Sequence, residues 1–213
     1  MKIDLHVHTR SFSACSGIEP EQLPEQAREV GLDGLVLTEH GILWPEEKLA
    51  PLRERAWELG VLILSGQEIT CVDRGRRQDF LVFGVNHSLG YFPTPHKLIE
   101  RVHGEGGVVV AAHPFKPSRF GVGYHGIGEA MLDLDLDGVE YHHPDHDQAA
   151  RDKVRAAAEE MKIPMTGGSD AHEIFRLGDF STHFFHPIHT VEDLVREIKA
   201  GRLEPRNGCP SAR

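Results

Sequence analysis

Asp4-Leu5-His6-Val7-His8-Thr9, at the start of the chain, alternates polar and apolar residues with a period of two. In a β-strand, residues i and i+2 point to the same side. The pattern therefore predicts a strand with Ile3, Leu5 and Val7 on one side and Asp4, His6 and His8 on the other. A second pair with the same spacing, Asp170 and His172, stands in Gly167-Gly168-Ser169-Asp170-Ala171-His172. A single His-x-His is a weak signal. Two such pairs, with Thr38-Glu39-His40, Gly66-Gln67-Glu68 and Ala112-His113-Pro114 between them, point to a metal-dependent enzyme.

Working outward, strand-like runs fall at 3–8, 34–39, 61–68, 79–85, 108–112, 138–142 and 164–169. Helix-like runs fall near 20–30, 45–59, 95–105, 125–134, 147–162 and 191–200. Alternation of this kind implies a parallel sheet with helices packed outside it. No GxGxxG follows the first strand, which disfavours a dinucleotide-binding sheet. The expectation is an α/β chain folded as a distorted TIM-like (β/α)7 barrel, one domain over 1–204 with a loose tail over 205–213. The apolar side of the first strand would pack on helices and its Asp/His side would line the lumen. Such a lining is costly unless the groups are paired or hold a cation. Ala149, Ala150, Val154, Ala157, Ala158 and Met161 recur at helical spacing and read as core.

Histidine stands out, with 15 in 213 residues. Such a surplus means either a metal site or a polar surface, so position decides. His6, His8, His40, Glu68, His113, His142 or His143, Asp170 and His172 all fall at or just past the carboxyl end of an expected strand, the face on which barrel enzymes build their sites. Mixed imidazoles and carboxylates suit zinc, manganese or iron(II), whereas an all-oxygen set would suit magnesium or calcium. The set is too large for one tetrahedral ion and implies two or three divalent metals, with Glu68 as a bridge. Paired metals activate an attacking hydroxide and stabilise the oxygens of a displacement at phosphorus.

These motifs resemble the PHP (polymerase and histidinol phosphatase) family. The resemblance rests on Asp4–Thr9, Leu37-Thr38-Glu39-His40, Gly66-Gln67-Glu68, Ala112-His113-Pro114, Val139-Glu140-Tyr141-His142-His143-Pro144 and Gly168-Ser169-Asp170-Ala171-His172. It implies a (β/α)7 barrel, a two- or three-metal centre and phosphoester hydrolysis. By the resemblance, His6, His8, Glu68 and Asp170 hold one metal, His40 and His172 a second, and Glu68 and His113 contribute to a third with His87 as an extra ligand. His143 would face the substrate phosphate or the metal and is the catalytic candidate. The chain departs from the family in Arg10-Ser11-Phe12-Ser13-Ala14-Cys15-Ser16, which has no Asp or His ligand. Either Cys15 substitutes as a thiolate, or the second metal has fewer protein ligands. Glu39 stands where Asp is usual and is expected to orient a ligand histidine.

The remaining features bound the function. Lys116 and Arg119, in the glycine-rich segment 115–127, and Arg176 are candidates to bind a substrate phosphate, solvated loop charge being the alternative. His96, His103, His125, His146, His183, His186 and His189 read as surface residues. The net charge of −10 disfavours a nucleic-acid polymer as partner. Three scattered cysteines, Cys15, Cys71 and Cys209, argue against a disulfide framework. No apolar run approaches the roughly 18 residues that span a bilayer. A cytoplasmic enzyme of a small phosphorylated substrate, such as a nucleotide or sugar-type phosphate, is expected, with its oligomeric state open. The rivals are an amidohydrolase-type C–N or C–O hydrolase, which also begins with His-x-His, and a non-catalytic metal- or phosphate-binding module.

Overall fold

The computed structural model describes residues 1–73, 76–92, 94–117 and 126–208. Arg119, His125 and Cys209 lie outside the described residues. Among the described residues there are ten strands: β1 (Lys2–Val7), β2 (Gly34–Leu37), β3 (Leu62–Ser65), β4 (Gln67–Asp73), β5 (Arg76–Phe83), β6 (Val108–Ala111), β7 (Gly138–His142), β8 (Met165–Gly167), β9 (Phe180–Phe184) and β10 (Leu203–Asn207). They form two five-stranded sheets, β10-β9-β1-β2-β3 and β4-β5-β6-β7-β8. β1–β2–β3 and β6–β7–β8 are parallel, while β4–β5–β6 and β1–β9–β10 are antiparallel.

Of the expected (β/α)7 barrel, the α/β class holds, but among the described residues the strands form two sheets and no hydrogen-bonded ladder closes. The first reason lies in the run 61–68, which breaks at Gly66 into β3 and β4. A Cβ on Gly66 would sit 2.6 Å from Phe83 Cδ1, so only glycine lets the chain turn this close to β5. The second reason is β9 and β10, which add antiparallel strands beside β1. Pro205, Arg206 and Asn207, expected in the tail, belong to β10. Isolated bridges, Val7–Ala171 and His40–Glu68, lie between segments of the two sheets.

Helices α1 (Leu23–Glu29) and α2 (Glu46–Glu58) bury Leu23, Ala27, Leu49, Leu52 and Ala56 against Val7, Leu35, Leu37 and Ile63. Helices α3 (Pro95–Gly104) and α4 (Gln148–Met161) do the same on the second sheet, over Phe80, Val82, Val109, Ala111 and Val139. A third core joins both sheets through Ile3, Leu5, Val36, Leu64, Leu81, Phe83, Val108 and Val110, and Leu194 and Ile198 of α5 (Val191–Lys199) pack into it. Each fully buried side chain of this size contributes about 1.5–3 kcal/mol. Side-chain oxygens of Thr94, Asp147 and Thr190 cap α3, α4 and α5, each worth about 1 kcal/mol. The helix expected over 125–134 is a 3-10 turn at Gly128–Asp133.

The simple alternation read in β1 does not hold along its length. Its register against β2 shifts between Asp4 and Val7, so Leu5 joins the core between the sheets while Val7 packs under α1 and α2. Asp4 accepts from the amides of His6, Ser169 and Gly178 at 3.2, 2.9 and 3.0 Å, and so clamps the β8 loop rather than sharing a face with His6. No helix among the described residues is long and apolar enough to cross a membrane.

Candidate metal centre

Four donors meet at the top of β1. His6 Nε2 and His8 Nε2 lie 3.1 Å apart. Asp170 Oδ1 is 3.4 Å from the first and 3.3 Å from the second. Glu68 places Oε1 3.6 Å from His6 Nε2 and Oε2 3.3 Å from His8 Nε2. Both Glu68 oxygens also reach outward, Oε1 to His113 Nε2 at 3.0 Å and Oε2 to His40 Nδ1 at 2.9 Å. His6, His8, Glu68 and His113 are buried, whereas His40, Asp170 and His172 stand half-buried at the mouth. Most of these groups follow a strand's carboxyl end. Glu68 is the exception, near the amino end of β4, and it reaches the cluster because the chain turns at Gly66.

At the mouth, Cys15 Sγ lies 3.4 Å from His40 Nε2 and 3.2 Å from His172 Nε2. The His172 ring is held by its own backbone: Nδ1 lies 2.9 Å from the Asp170 carbonyl, to which it donates. Asp170 and His172 are not on a strand, since β8 ends at Gly167. They converge because Asp170 takes a left-handed backbone, φ 47°, and His113 does likewise at φ 30°. Non-glycine residues in that region are uncommon and cluster at functional sites.

A layer of buried acids orients the imidazoles. Glu140 Oε1 pairs with His6 Nδ1 at 2.9 Å and Oε2 accepts the His113 amide at 2.8 Å. Glu39 acts on His8 through an intermediary: it accepts from Ser13 Oγ, whose oxygen is 3.3 Å from His8 Nδ1. Glu39 also accepts from Thr9 N, Thr9 Oγ1 and Trp44 Nε1. Fixing Nδ1 this way leaves Nε2 of each ring free to face the cluster.

The donor set fits a cation. Bonds of about 2.0–2.2 Å to nitrogen and oxygen put neighbouring donors about 2.9 Å apart at right angles and about 3.4 Å apart at tetrahedral angles, and the separations above fall at or near that range. The electrostatics agree. Burial opposes charge on His6, but Glu140, Asp170 and Glu68 outweigh it and hold its pKa well above the ordinary value. His8 is pushed up to about 9, with Asp170 and Glu68 again prevailing over burial. Burial also opposes charge on Glu68 and Asp170, yet the imidazoles, His6 foremost, hold both well below the usual carboxylate range. The buried acids thus demand positive charge at this point, supplied by protons here or by a metal ion. Three further groupings have ligand atoms within 4.8 Å of one another: His8, His40 and His172; His6, His113 and His143; and Glu68, Asp79 and His113.

The other expected residues divide. His143 joins the cluster, its Nε2 3.2 Å from Asp170 Oδ2. His142 faces away and stacks on Phe180. Lys116 reaches the mouth and bonds Asp170 Oδ2 and Asp145 Oδ2, both at 3.1 Å. Arg176 is exposed and paired with Asp179. His87 is exposed, near Arg101 and Glu105, outside the cluster. His146, expected on the surface, is buried beside His143. Sequence reading assigned no role to Glu140, Ser13 or Asp79. An acid inside the apolar run Gly138-Val139-Glu140-Tyr141 is the signal that marks Glu140.

Comparison with known proteins agrees with this architecture. An uncharacterised protein of Methanocaldococcus jannaschii is 28% identical over 153 residues, 66% of this chain and 80% of that protein. A two-domain protein from Bacteroides vulgatus, containing a predicted PHP-like metal-dependent phosphoesterase, superposes with a TM-score of 0.74 at 18% identity. The match covers 98% of this chain but 65% of that one, just under two thirds of its length. An inferred metal-dependent phosphoesterase from Bifidobacterium adolescentis gives 0.62 at 22% identity, over 93% of this chain and 96% of the other. An amidohydrolase from Chromobacterium violaceum, with bound sulfate and no metal, gives 0.66 at 16% identity over the whole of both chains. The PHP-associated profile matches residues 148–203. The PHP domain profile matches residues 4–121, more than half of the chain and the segment that supplies His6, His8, His40, Glu68 and His113, and the chain therefore belongs to the PHP domain family.

Proposed function

We propose that the protein is a metal-dependent phosphoesterase that hydrolyses a small phosphate ester, of nucleotide or sugar type, using two or three divalent ions of the zinc, manganese or iron class. The observation that carries the reading is the meeting of His6, His8, Glu68 and Asp170 around one point, with His40, His172 and His113 around it. Bound ions would activate water and neutralise charge on the phosphoryl oxygens. The remaining work falls to the chain. Glu68, with an oxygen toward each side, is placed to bridge adjacent ions. Glu140 and Ser13 hold the His6 and His8 rings. Lys116 stands at the rim, where it can bind a non-reacting phosphate oxygen.

His143 has the geometry of a donor. Its Nδ1 accepts the Asp145 amide at 3.1 Å, so the neutral ring carries its proton on Nε2, the atom that faces Asp170. A protonated Nε2 cannot ligate a metal. It can hydrogen-bond a phosphate oxygen or protonate the leaving oxygen.

The amidohydrolase among the structural neighbours favours a second reading, hydrolysis of C–N or C–O bonds, although the sulfate that protein holds is a tetrahedral oxyanion like phosphate. A panel of phosphate monoesters, diesters, amides and lactones separates the two. Phosphate release from a model ester by metal-reconstituted protein is expected, with loss in His8→Ala and Asp170→Ala. Full activity in either variant, or in chelator-stripped protein, overturns the proposal.

A further inference from the structure

We infer that Cys15 is a thiolate ligand, making the outer metal position, with His40 and His172, a mixed nitrogen–sulfur subsite beside the carboxylate-bridged inner one. The inference rests on the metal-dependent reading above and adds to it the chemical class of the outer ion. The stretch Arg10–Ser16 after the first pair holds no Asp or His, and it brings Cys15 to the mouth.

The geometry fits coordination. Bonds of about 2.3 Å to sulfur and about 2.0 Å to nitrogen separate the two donors by about 3.1 Å at right angles and about 3.6 Å at tetrahedral angles. Cys15 Sγ lies 3.2 Å from His172 Nε2 and 3.4 Å from His40 Nε2, inside that interval for both. A thiol would donate to one of the two nitrogens and accept only weakly from the other. His172 spends its ring proton on the Asp170 carbonyl, so its Nε2 turns a lone pair toward the sulfur. A cation at this point would serve all three atoms at once. The two imidazoles beside Cys15 also belong to a grouping of possible ligands, since ligand atoms of His8, His40 and His172 lie within 4.8 Å of one another.

Binding replaces the S–H bond by a sulfur–metal bond and releases the proton to solvent. Sulfur selects soft or borderline ions, so the outer subsite would favour zinc, cadmium or cobalt(II) over manganese or magnesium. The inner subsite, built of imidazole and carboxylate, makes no such distinction. The two positions would therefore load differently.

Cobalt(II) titration of the metal-free, reduced 213-residue protein tests this. Wild type should develop a sulfur-to-cobalt charge-transfer absorption in the near ultraviolet. Cys15→Ser should lose that band while retaining cobalt in the inner subsite. Cys15→Asp should lose the band yet keep the outer equivalent. Cys209→Ser should keep it, and Cys71 is buried in the core. As a check that needs no variant, zinc should slow alkylation of Cys15 by iodoacetamide about 10-fold or more, read by peptide mass mapping, because a coordinated thiolate is withdrawn as nucleophile. Bound cobalt without the band, a band that survives Cys15→Ser, or unaltered alkylation overturns the inference and leaves the phosphoesterase reading standing. A protein that binds no cobalt at all overturns both.

Discussion

Glu140 grips the two sides of the cluster at once: one oxygen lies 2.9 Å from His6 Nδ1 on the first sheet's β1, and the other accepts the amide of His113 after β6 of the second sheet at 2.8 Å. The carboxylate is fully buried, and its pKa falls to about 2 because His6 foremost, then His143 and His113, overcome the cost of burial. Replacing it with Gln keeps the shape and removes the charge that makes His6 basic. Glu140→Gln should weaken metal binding about 10–100-fold with circular dichroism unchanged. Calorimetric titration with zinc checks this.

Gly168 makes that grip sterically feasible. A Cβ there would stand 2.6 Å from His6 Cβ and 2.7 Å from Glu140 Oε1. Gly168→Ala should destabilise the fold by about 1–3 kcal/mol, as overpacking does, and should weaken metal binding as well. Urea unfolding and the same titration measure the two effects.

Glu39 collects four protein donors in a buried place: Thr9 N, Thr9 Oγ1, Ser13 Oγ and Trp44 Nε1. Glu39→Ala strands them and should cost about 3 kcal/mol or more. Ser13→Ala removes the link to His8 and one of the four donors to Glu39 while leaving the other three, so it should affect metal affinity more than stability. Chemical denaturation beside metal titration distinguishes them.

His143 should separate chemistry from metal binding. If its Nε2 proton is what the reaction uses, His143→Ala lowers kcat about 10²–10⁴-fold while elemental analysis finds the wild-type metal content. A loss of metal in that variant would instead make His143 a ligand.

Acid should weaken the fold through His146. Burial first, then the neighbouring His143, hold its pKa down to about 4, against about 6.5 in an unfolded chain. The folded state therefore disfavours the proton. The stability this residue contributes is complete above pH about 6.5 and declines as pH falls toward 4, by on the order of 3 kcal/mol at most. Denaturant unfolding at pH 7 and 4.5 should show the loss, and His146→Gln should reduce it.

Much was legible from residue order. Strand and helix runs, the apolar stripe of α4 (except Ala149, which is exposed), and the acids and imidazoles of the cluster could be read along the chain because periodicity and residue type are local properties. Five features were not legible: the break of 61–68 at Gly66, the register shifts in β1 between Asp4 and Val7 and in β7 between Glu140 and His142, and the left-handed turns at His113 and Asp170. Each depends on what lies across from the residue, such as the Phe83 ring pressed on Gly66 or the partner strand that sets the register. A period of two assumes an unbroken pleat, and a bulge reverses every side chain beyond it. Asp4 thus left the face predicted for it, and Glu140 came to hold His6. Which chemistry the chain can attempt is written in its residue types. Which atoms face one another, Cys15 with His40 and His172 among them, depends on packing between segments far apart in the chain.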